Sequence, residues 1–413
     1  MCYCTTELHY FCELRHCVIM ALHYSVKDLR SYILIILAVL VVSMQSERVS
    51  HIRKLYKDLF SNYTKQVMPV YDHSKPLMVG VTFYLISINS IKEVEETISI
   101  AVSFNFNWTD PFLAWDPASY GHQYWTVIDS SDMWVLFMVL TNSVNKMEPI
   151  GGETNFNAFI ITTGDVVYNP GDVFEAKCPT DISKFPFDEQ QCSFTFIAWA
   201  IPKQFLRLSS LKDQASLDYF YPHSDWTLLE YSTVTDEEGG DISFFSFNLK
   251  IKRRAMYYGV MVIAPTVLFA LLNPLVFLLP VESGERVGLA MTILLSYSLF
   301  LMIVSSSIPA SSNPMCALLI VMVIIIVVSG IIVFGVIITV KYYNEEDVDK
   351  IGPALKSITS WQSHKDTDVG ESVEAKYNIT GKDVANMLDT IFFYGSYVVM
   401  ILTTVGYSLY VFL

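Results

Sequence analysis

Charged side chains are scarce in this chain of 413 residues: they make up 16% of it, while hydrophobic residues make up 52%. Soluble domains carry about 25% charged residues, so the composition excludes intrinsic disorder and disfavours a purely soluble protein. Basic residues are fewer than acidic ones, 27 against 41, which gives a net charge of −14. A nucleic-acid partner would need a basic face, whereas an acidic surface suits cationic partners.

The chain also lacks the common sequence signatures of enzymes. It contains no GxSxG, HExxH or P-loop sequence, and its 8 histidines are scattered; such motifs hold nucleophiles, zinc or phosphates. We therefore predict no enzymatic activity, no cofactor and no metal site. The 7 cysteines are too few for a disulfide scaffold, so any bridge is expected to be local.

Long apolar segments dominate the second half of the chain. Four of them are long enough to span the ~30 Å of bilayer hydrocarbon: residues 257–279, 287–308, 314–340 and 387–413. We assign residues 255–341 to transmembrane helices 1 to 3, 342–386 to a cytoplasmic linker and 387–413 to helix 4. Behind a secreted first half, this places both termini outside the cell, in a multi-pass protein of the plasma membrane. The basic cluster Lys250 to Arg254 lies on the outer side, in conflict with the positive-inside rule.

An earlier apolar segment, residues 31–43, is too short to span comfortably. It suits the central region of a signal peptide, with Lys27 and Arg30 ahead of it. We predict a signal peptide over residues 1–46. A retained anchor is the alternative, because the segment before the apolar run is long for such a signal.

Residues 47–254 are predicted to form an extracellular, all-β sandwich with a helix over about residues 50–64 at its start. Apolar residues alternate with polar ones, the period of a half-buried strand. In residues 245–252 the pattern predicts that Phe245, Phe247, Leu249 and Ile251 face inward and that Ser246, Asn248, Lys250 and Lys252 face outward. Residues 238–241 are typical of a hairpin turn. Asn62 and Asn107 open glycosylation sequons, which suit an extracellular half.

A pair of cysteines encloses a distinctive loop. Cys178 and Cys192 enclose thirteen residues that include Phe185, Pro186, Phe187 and Asp188. In an oxidising compartment the pair can close a compact loop, with a loop-closure stabilisation of about 3 kcal/mol for this size. The aromatic residue before Pro186 favours a turn and is compatible with a cis bond. Taken alone, the pattern is most simply a stapled surface loop.

Cysteines that enclose thirteen residues around Phe-Pro-Phe-Asp resemble the signature loop of Cys-loop receptors, the pentameric ligand-gated ion channels. Further segments match in order over about residues 48–413: Trp108 to Asp110, Trp199, Arg253 to Gly259, and Glu282 to Arg286. The nearest branch is nicotinic-acetylcholine-receptor-like. The resemblance implies a β-sandwich ligand domain, a four-helix transmembrane bundle and a ring of five subunits. Membrane lipid is expected to surround the transmembrane part of the ring. The simplest ring is a homopentamer, in which four further copies of the chain are the partners.

The second span has the pattern of a channel lining. Residues at a spacing of three to four form one stripe on a helix. Here the stripe is acidic, then small and polar, then apolar, then polar: Glu285, Gly288, Thr292, Leu295, Leu299, Met302 and Ser306. A ring of carboxylates concentrates cations, and an apolar constriction closes a pore by dewetting. We predict a pore for monovalent cations with Glu282 and Glu285 at its inner mouth. The alternative is that these two acids are solvated residues of a cytoplasmic turn.

By resemblance, Glu285 stands where anion channels of the family have a Pro-Ala-Arg sequence, and Leu295 matches the gate leucine. Arg286 is adjacent to Glu285, so it need not share its pore-facing direction. Residues 305–307 are serines where many cation channels have an acidic residue, so one ring of charge is missing.

The resemblance also implies a region that couples the two halves. Phe185, Pro186 and Phe187 are expected to rest against the linker after the second span, around residues 308–310. Asp188 and Arg253 match a buried acid–base pair. Contact of Arg253 with lipid headgroups is the alternative.

The resemblance is least complete at the ligand site. The family's amine site is an aromatic box between subunits, and Trp199 matches its central tryptophan. Thr141 and Ser103 stand where a tyrosine and the neighbouring subunit's tryptophan are usual, and Phe244 and Phe245 are the nearest stand-ins beside the hairpin. We expect a small extracellular ligand, for which a cation is one candidate, and we expect acetylcholine to act poorly.

A different function would be that of a non-conducting cell-surface receptor or adhesion subunit with a four-span anchor. Such a protein has no need for an acid-to-apolar stripe in its second span.

Overall fold

The computed structural model describes residues 29–152, 154–212, 214–235, 240–306, 308, 314–345, 359 and 380–413. Its first element is one long helix, α1 (Leu29–Phe60), which includes the short apolar segment and most of the helix predicted over residues 50–64. It ends earlier than predicted, at Phe60, where the Ser61 hydroxyl donates to the carbonyl of Asp58. The beginning of the predicted signal peptide lies outside the described residues, and the signal peptide stays a prediction.

The β domain has eleven strands in the described part of the chain: β1 (Leu77–Lys92), β2 (Thr97–Thr109), β3 (Trp125–Asp129), β4 (Met138–Leu140), β5 (Asn157–Ile161), β6 (Asp165–Tyr168), β7 (Gly171–Lys177), β8 (Glu189–Pro202), β9 (Leu206–Ser210), β10 (Trp226–Thr235) and β11 (Ile242–Arg253). The 7-stranded sheet has the order β3-β5-β6-β2-β1-β9, with β7 also paired to β2, and the 4-stranded sheet has the order β10-β11-β8-β4. The sandwich is therefore confirmed, and so is the antiparallel hairpin of β10 and β11. The tip of that hairpin, residues 236–239, lies outside the described residues.

Phenylalanine rings fill the space between the two sheets. Phe83 of the first sheet lies 4.3 Å from Phe247 of the second, between ring centroids, and Phe104 lies 6.2 Å from Phe245. The four residues of β11 predicted to face inward are all buried. Strand alternation places these apolar side chains in the core.

Ser246 departs from the prediction that it faces solvent. It lies on the outward side of β11, but it is only 9% exposed. Its hydroxyl lies 2.8 Å from that of Thr195 on the neighbouring strand. This contact covers both polar groups, because side chains directly opposite one another in a ladder pack together.

The two sequons of the β domain differ in accessibility. Asn62 is exposed just after α1. Asn107 lies within β2, paired with both β1 and β6, and its Oδ1 is buried with no hydrogen-bond partner in the described structure. Asn62 is thus the more accessible acceptor, and glycosylation at either site stays a prediction.

Four helices among the described residues are long and apolar enough to cross a membrane: α2 (Met256–Leu278), α3 (Arg286–Ser306), α4 (Ala317–Tyr343) and α5 (Gly381–Phe412). They agree closely with the predicted spans, except that α5 begins at Gly381 instead of residue 387. Thr380 and Asp383 form a capping box there, which satisfies free backbone N–H groups and so starts the helix early. Most of the predicted linker, residues 346–358 and 360–379, lies outside the described residues.

Candidate functional site

The cysteine loop lies where the β domain meets the helices. A disulfide joins Cys178 and Cys192, as predicted, and Pro186 follows a cis peptide bond. Within the loop Gln190 is buried, and its side chain bonds the backbone of Asp181 and the carboxylate of Asp188. Nothing in the sequence pattern indicates this role, since most glutamines are exposed. The bonds of Gln190 hold the loop in one shape and so direct its tip.

The tip of the loop packs on the first and last transmembrane helices. The ring of Phe185 lies 4.9 Å from that of Tyr258 in α2, and its carbonyl accepts a 3.0 Å hydrogen bond from Tyr407 of α5. The ring of Phe187 lies 5.0 Å from that of Phe412, also in α5. The sequence did not predict these contacts with α5, because their partners are more than two hundred residues apart in the chain.

The linker contact expected for the same loop is described only in part. Ile308 belongs to the buried apolar cluster that contains Phe185. Residues 309–310 lie outside the described residues.

Asp188 and Arg253 form a buried ion pair at the same junction. The Nε of Arg253 lies 2.8 Å from Oδ1 of Asp188, and both side chains are 1% exposed; Nη2 lies 3.1 Å from Oδ2. A second carboxylate, that of Glu93 at the turn after β1, lies 2.7 Å from Nη1. The alternative contact of Arg253 with lipid headgroups is therefore wrong. Glu93 was missed because an acid in a turn usually faces solvent.

Three aromatic rings surround the same guanidinium. Its central carbon lies 4.3 Å from the ring centroid of Trp226, 5.0 Å from that of Phe185 and 5.2 Å from that of Tyr258. Burial by itself disfavours the charged form, but the hydrogen bonds and charges of the two carboxylate partners outweigh burial and raise the pKa of Arg253. Arg253 therefore stays charged, and it connects the β domain, the cysteine loop and α2 through one side chain.

One face of α3 is uncovered along its whole length. All seven residues of the predicted stripe are exposed: Glu285, Gly288, Thr292, Leu295, Leu299, Met302 and Ser306. Three large apolar members, Leu295, Leu299 and Met302, are 59%, 64% and 71% exposed. The opposite face packs into the subunit through Ala290, Tyr297 and Val304. A row of exposed apolar side chains marks a surface that faces another molecule or a pore.

The two acids at the inner end of α3 have different surroundings. Glu282 lies in the turn Val281–Ser283 and accepts a 2.6 Å hydrogen bond from Tyr343 of α4. Glu285 is exposed beside the start of α3, while the next residue, Arg286, is only 2% exposed. Consecutive helical residues point about 100° apart, which allows the acid and the base to face different ways.

Three of the four ligand-site candidates lie on the outer face of the 4-stranded sheet. Trp199 of β8 is 47% exposed. Thr141 donates its backbone N–H to Thr195 of β8 (2.8 Å), and Phe244 pairs with Ile197 of β8. Alternate residues 195, 197 and 199 share one face of a strand. The fourth candidate, Ser103, lies in β2 of the other sheet, so only a second subunit could bring such a position to Trp199.

The aromatic neighbours of Trp199 differ from those expected. Phe245 is not available as a stand-in, because it is one residue out of phase with Phe244 and is fully buried between the sheets. The structure places Phe137 beside Trp199. The backbone N–H of Trp199 donates to the backbone carbonyl of Phe137 at 2.9 Å, and Phe137 is 45% exposed. Pairing between β4 and β8 brings them together, and the spacing of these residues in the sequence does not reveal it.

Comparisons with known proteins agree with this architecture. Residues 52–255 match the family model described as "Neurotransmitter-gated ion-channel ligand binding domain", and residues 262–364 match "Neurotransmitter-gated ion-channel transmembrane region". The chain is 30% identical over 303 residues to acetylcholine receptor subunit alpha-1-B of Xenopus laevis, a match that covers 71% of this chain and 65% of that relative. It is 30% identical over 311 residues to acetylcholine receptor subunit beta-type lev-1 of Caenorhabditis elegans, covering 74% and 60%. It is 29% identical over 317 residues to neuronal acetylcholine receptor subunit alpha-10 of Homo sapiens, covering 75% and 68%.

The match spans less than two thirds of the length of the first two of these relatives. The two matched family models meet between residues 255 and 262, just after the Arg253 ion pair. We conclude that this chain belongs to the neurotransmitter-gated ion-channel family, as a multi-pass plasma-membrane protein related to nicotinic acetylcholine receptor subunits.

Proposed function

We propose that this chain is a subunit of a pentameric, ligand-gated channel that passes monovalent cations, with its ligand domain and both termini outside the cell. The observation that carries the proposal is the uncovered face of α3, with Glu285 at its inner end and large apolar side chains at its middle. Rotational symmetry turns each residue of this face into a ring. A ring of up to five Glu285 carboxylates would concentrate cations at the inner mouth.

A pore between subunits accounts for the exposed residues better than a pore within one subunit. The buried face of α3 packs against its own subunit, so the exposed stripe points away from the other described helices of that subunit. A homopentamer is the simplest assembly that covers the other face. The direct test is to express the chain alone in oocytes and to record current during a ligand screen. Surface expression without current in any condition would favour a non-conducting receptor.

The exposed apolar ring at Leu295 is expected to form the gate. Leu295→Ser should favour opening, because a polar ring stabilises water where an apolar ring excludes it. Burial of one leucine side chain contributes about 1.5–3 kcal/mol, so we expect a shift of about tenfold or more in agonist sensitivity, or spontaneous current. Leu294→Ser is the matched control, because Leu294 packs against the bundle. Unchanged gating in a well-expressed Leu295→Ser channel would contradict the assignment.

Acetylcholine is expected to be a weak agonist or none. Phe137, Trp199 and Phe244 offer an incomplete set of rings, and each ring missing from an aromatic box removes about 0.5–2 kcal/mol of cation–π attraction. Two or three losses lower affinity by roughly one to four powers of ten. A dose–response curve for acetylcholine on the homomer measures this.

Trp199→Ala, compared with Trp125→Ala, identifies the site of any response. Trp125 is a similarly exposed tryptophan (51%) in the other sheet. Activation at low micromolar acetylcholine that only Trp199→Ala abolishes would show that the box is complete.

A further inference from the structure

Arg286 joins the inner end of the pore helix to both α2 and α5. Its Nη1 and Nη2 donate to the two carboxylate oxygens of Asp389 in α5, at 3.1 and 2.8 Å. The side chains of Arg286 and Asp389 are 3% and 14% exposed. The guanidinium also donates to the carbonyls of Leu279 (2.5 Å) and Phe277 (2.6 Å). This fork-to-fork geometry is the strong, directional form of an ion pair.

The surroundings explain why the guanidinium occupies this position. The Phe277 and Leu279 carbonyls lie at the end of α2, where carbonyls have no partner within the helix and where positive charge is favoured. One turn after Asp389, the ring of Phe392 stacks on that of Phe277, with centroids 5.7 Å apart. A Cβ added at Gly335 of α4 would lie only 3.1 Å from the Phe392 ring. The close fit of α5 at this level places the Asp389 carboxylate against Arg286.

We propose that Asp389 is a positioning residue for charge selectivity. It holds the Arg286 guanidinium inside the subunit, away from the exposed face of α3 that has Glu285 at its inner end. The inference rests on the proposed channel function. Glu285 and Arg286 are consecutive, so a guanidinium released from Asp389 could turn toward the carboxylate that is expected to attract cations. In a ring, each released guanidinium would cancel one carboxylate charge at short range. Asp389 would thereby set the net charge at the mouth of the pore, although it lies on α5, a helix that does not line the pore.

The test uses Asp389→Asn, which removes the charge and keeps the size. Recordings are made in the Leu295→Ser background, so that current does not depend on an agonist. We expect lower single-channel conductance and a reversal potential that moves toward the chloride equilibrium when external NaCl is diluted. Adding Arg286→Gln to Asp389→Asn should restore the parent's reversal potential, because the released charge is then gone.

Asp383→Asn is the matched control. It makes the same chemical change on the same helix, but Asp383 bonds Thr380 at the helix cap. Its reversal potential should equal the parent's. If Asp389→Asn lowers surface expression and leaves the reversal potential unchanged in a conducting channel, Asp389 has a merely structural role and the proposal is overturned.

A second measurement does not depend on conduction. Thermal unfolding is compared for the detergent-solubilised parent, Asp389→Asn, Arg286→Gln and the double variant. A coupled pair predicts that the double variant loses less in Tm than the sum of the two single losses. Additive losses would overturn the pairing even if no variant conducts. A silent parent with coupled Tm losses would count against the channel function and support the positioning of Arg286 by Asp389.

Discussion

Asp188→Asn is expected to destabilise the junction between the β domain and the helices by about 3–5 kcal/mol, the usual cost of removing one partner of a buried ion pair. Both side chains of the pair are 1% exposed, so water cannot replace the lost carboxylate charge. Glu93 stays 2.7 Å from the guanidinium, but its side chain is 23% exposed and it provides one contact where Asp188 provides two. The measurements are the Tm of the solubilised protein and the fraction of the protein at the cell surface. Both should be lower in the variant.

Glu189→Gln is the matched control for this prediction. Glu189 is the next residue, and its carboxylate pairs with Lys250 and Lys252 at 3.0 and 2.9 Å. All three side chains are at least 35% exposed, and such surface pairs contribute little to stability. Equal losses of Tm for Asp188→Asn and Glu189→Gln would show that the contribution of the Asp188 pair to stability does not come from its burial.

Arg253→Lys tests the shape of the guanidinium separately from its charge. Lysine keeps the positive charge but loses the paired hydrogen bonds and the flat surface for stacking. The rings of Trp226, Phe185 and Tyr258 lie within 5.2 Å of the guanidinium carbon. We expect most of the destabilisation of Asp188→Asn to recur in this variant.

Glu285→Ala is expected to weaken the preference for cations and to reduce inward conductance by about tenfold, since focused charge raises the local counter-ion concentration by this order or more. Glu285 is exposed at the inner end of the uncovered face, so its replacement removes up to five charges from one ring in a symmetric pentamer. Reversal potentials under sodium and chloride substitution measure the change. A wild-type reversal potential that follows chloride would contradict the proposal.

Glu282→Ala provides the comparison for Glu285→Ala. Glu282 lies in the turn before α3, and the hydroxyl of Tyr343 donates to its carboxylate. That bond directs its carboxylate toward α4, so we expect a smaller change in reversal potential. An effect as large as that of Glu285→Ala would place both acids at the mouth.

The junction and Arg286 connect the β domain to the inner end of α3 through direct side-chain contacts. The cysteine loop contacts α2 through Phe185 and Tyr258 and contacts α5 through Phe187 and Phe412. Arg286 connects α5 in turn to the inner end of α3. The helix most distant in sequence, α5, thus contacts the cysteine loop of the β domain at one end and the inner end of α3 at the other.

The sequence by itself determined the features that repeat locally along the chain. Length and apolar content predicted the four spans, because hydrocarbon thickness fixes the length of a helix that crosses it. Alternation predicted the four buried apolar residues of β11 between Phe245 and Ile251, and a spacing of three to four predicted the uncovered stripe of α3, because both follow from backbone geometry. The spacing of Cys178 and Cys192, with the residues between them, was enough to indicate the loop and the family it resembles.

Only the tertiary structure decided which distant side chains meet. Glu93 beside Arg253, Gln190 inside the loop, Phe137 beside Trp199 and Asp389 against Arg286 each depend on packing between separate elements. The local sequence does not show whether an acid or an amide is solvated or buried, since its partner lies elsewhere in the chain. Folding resolves the difference, because burying a polar group without a partner costs free energy, and this cost favours packing in which a separate element supplies the partner.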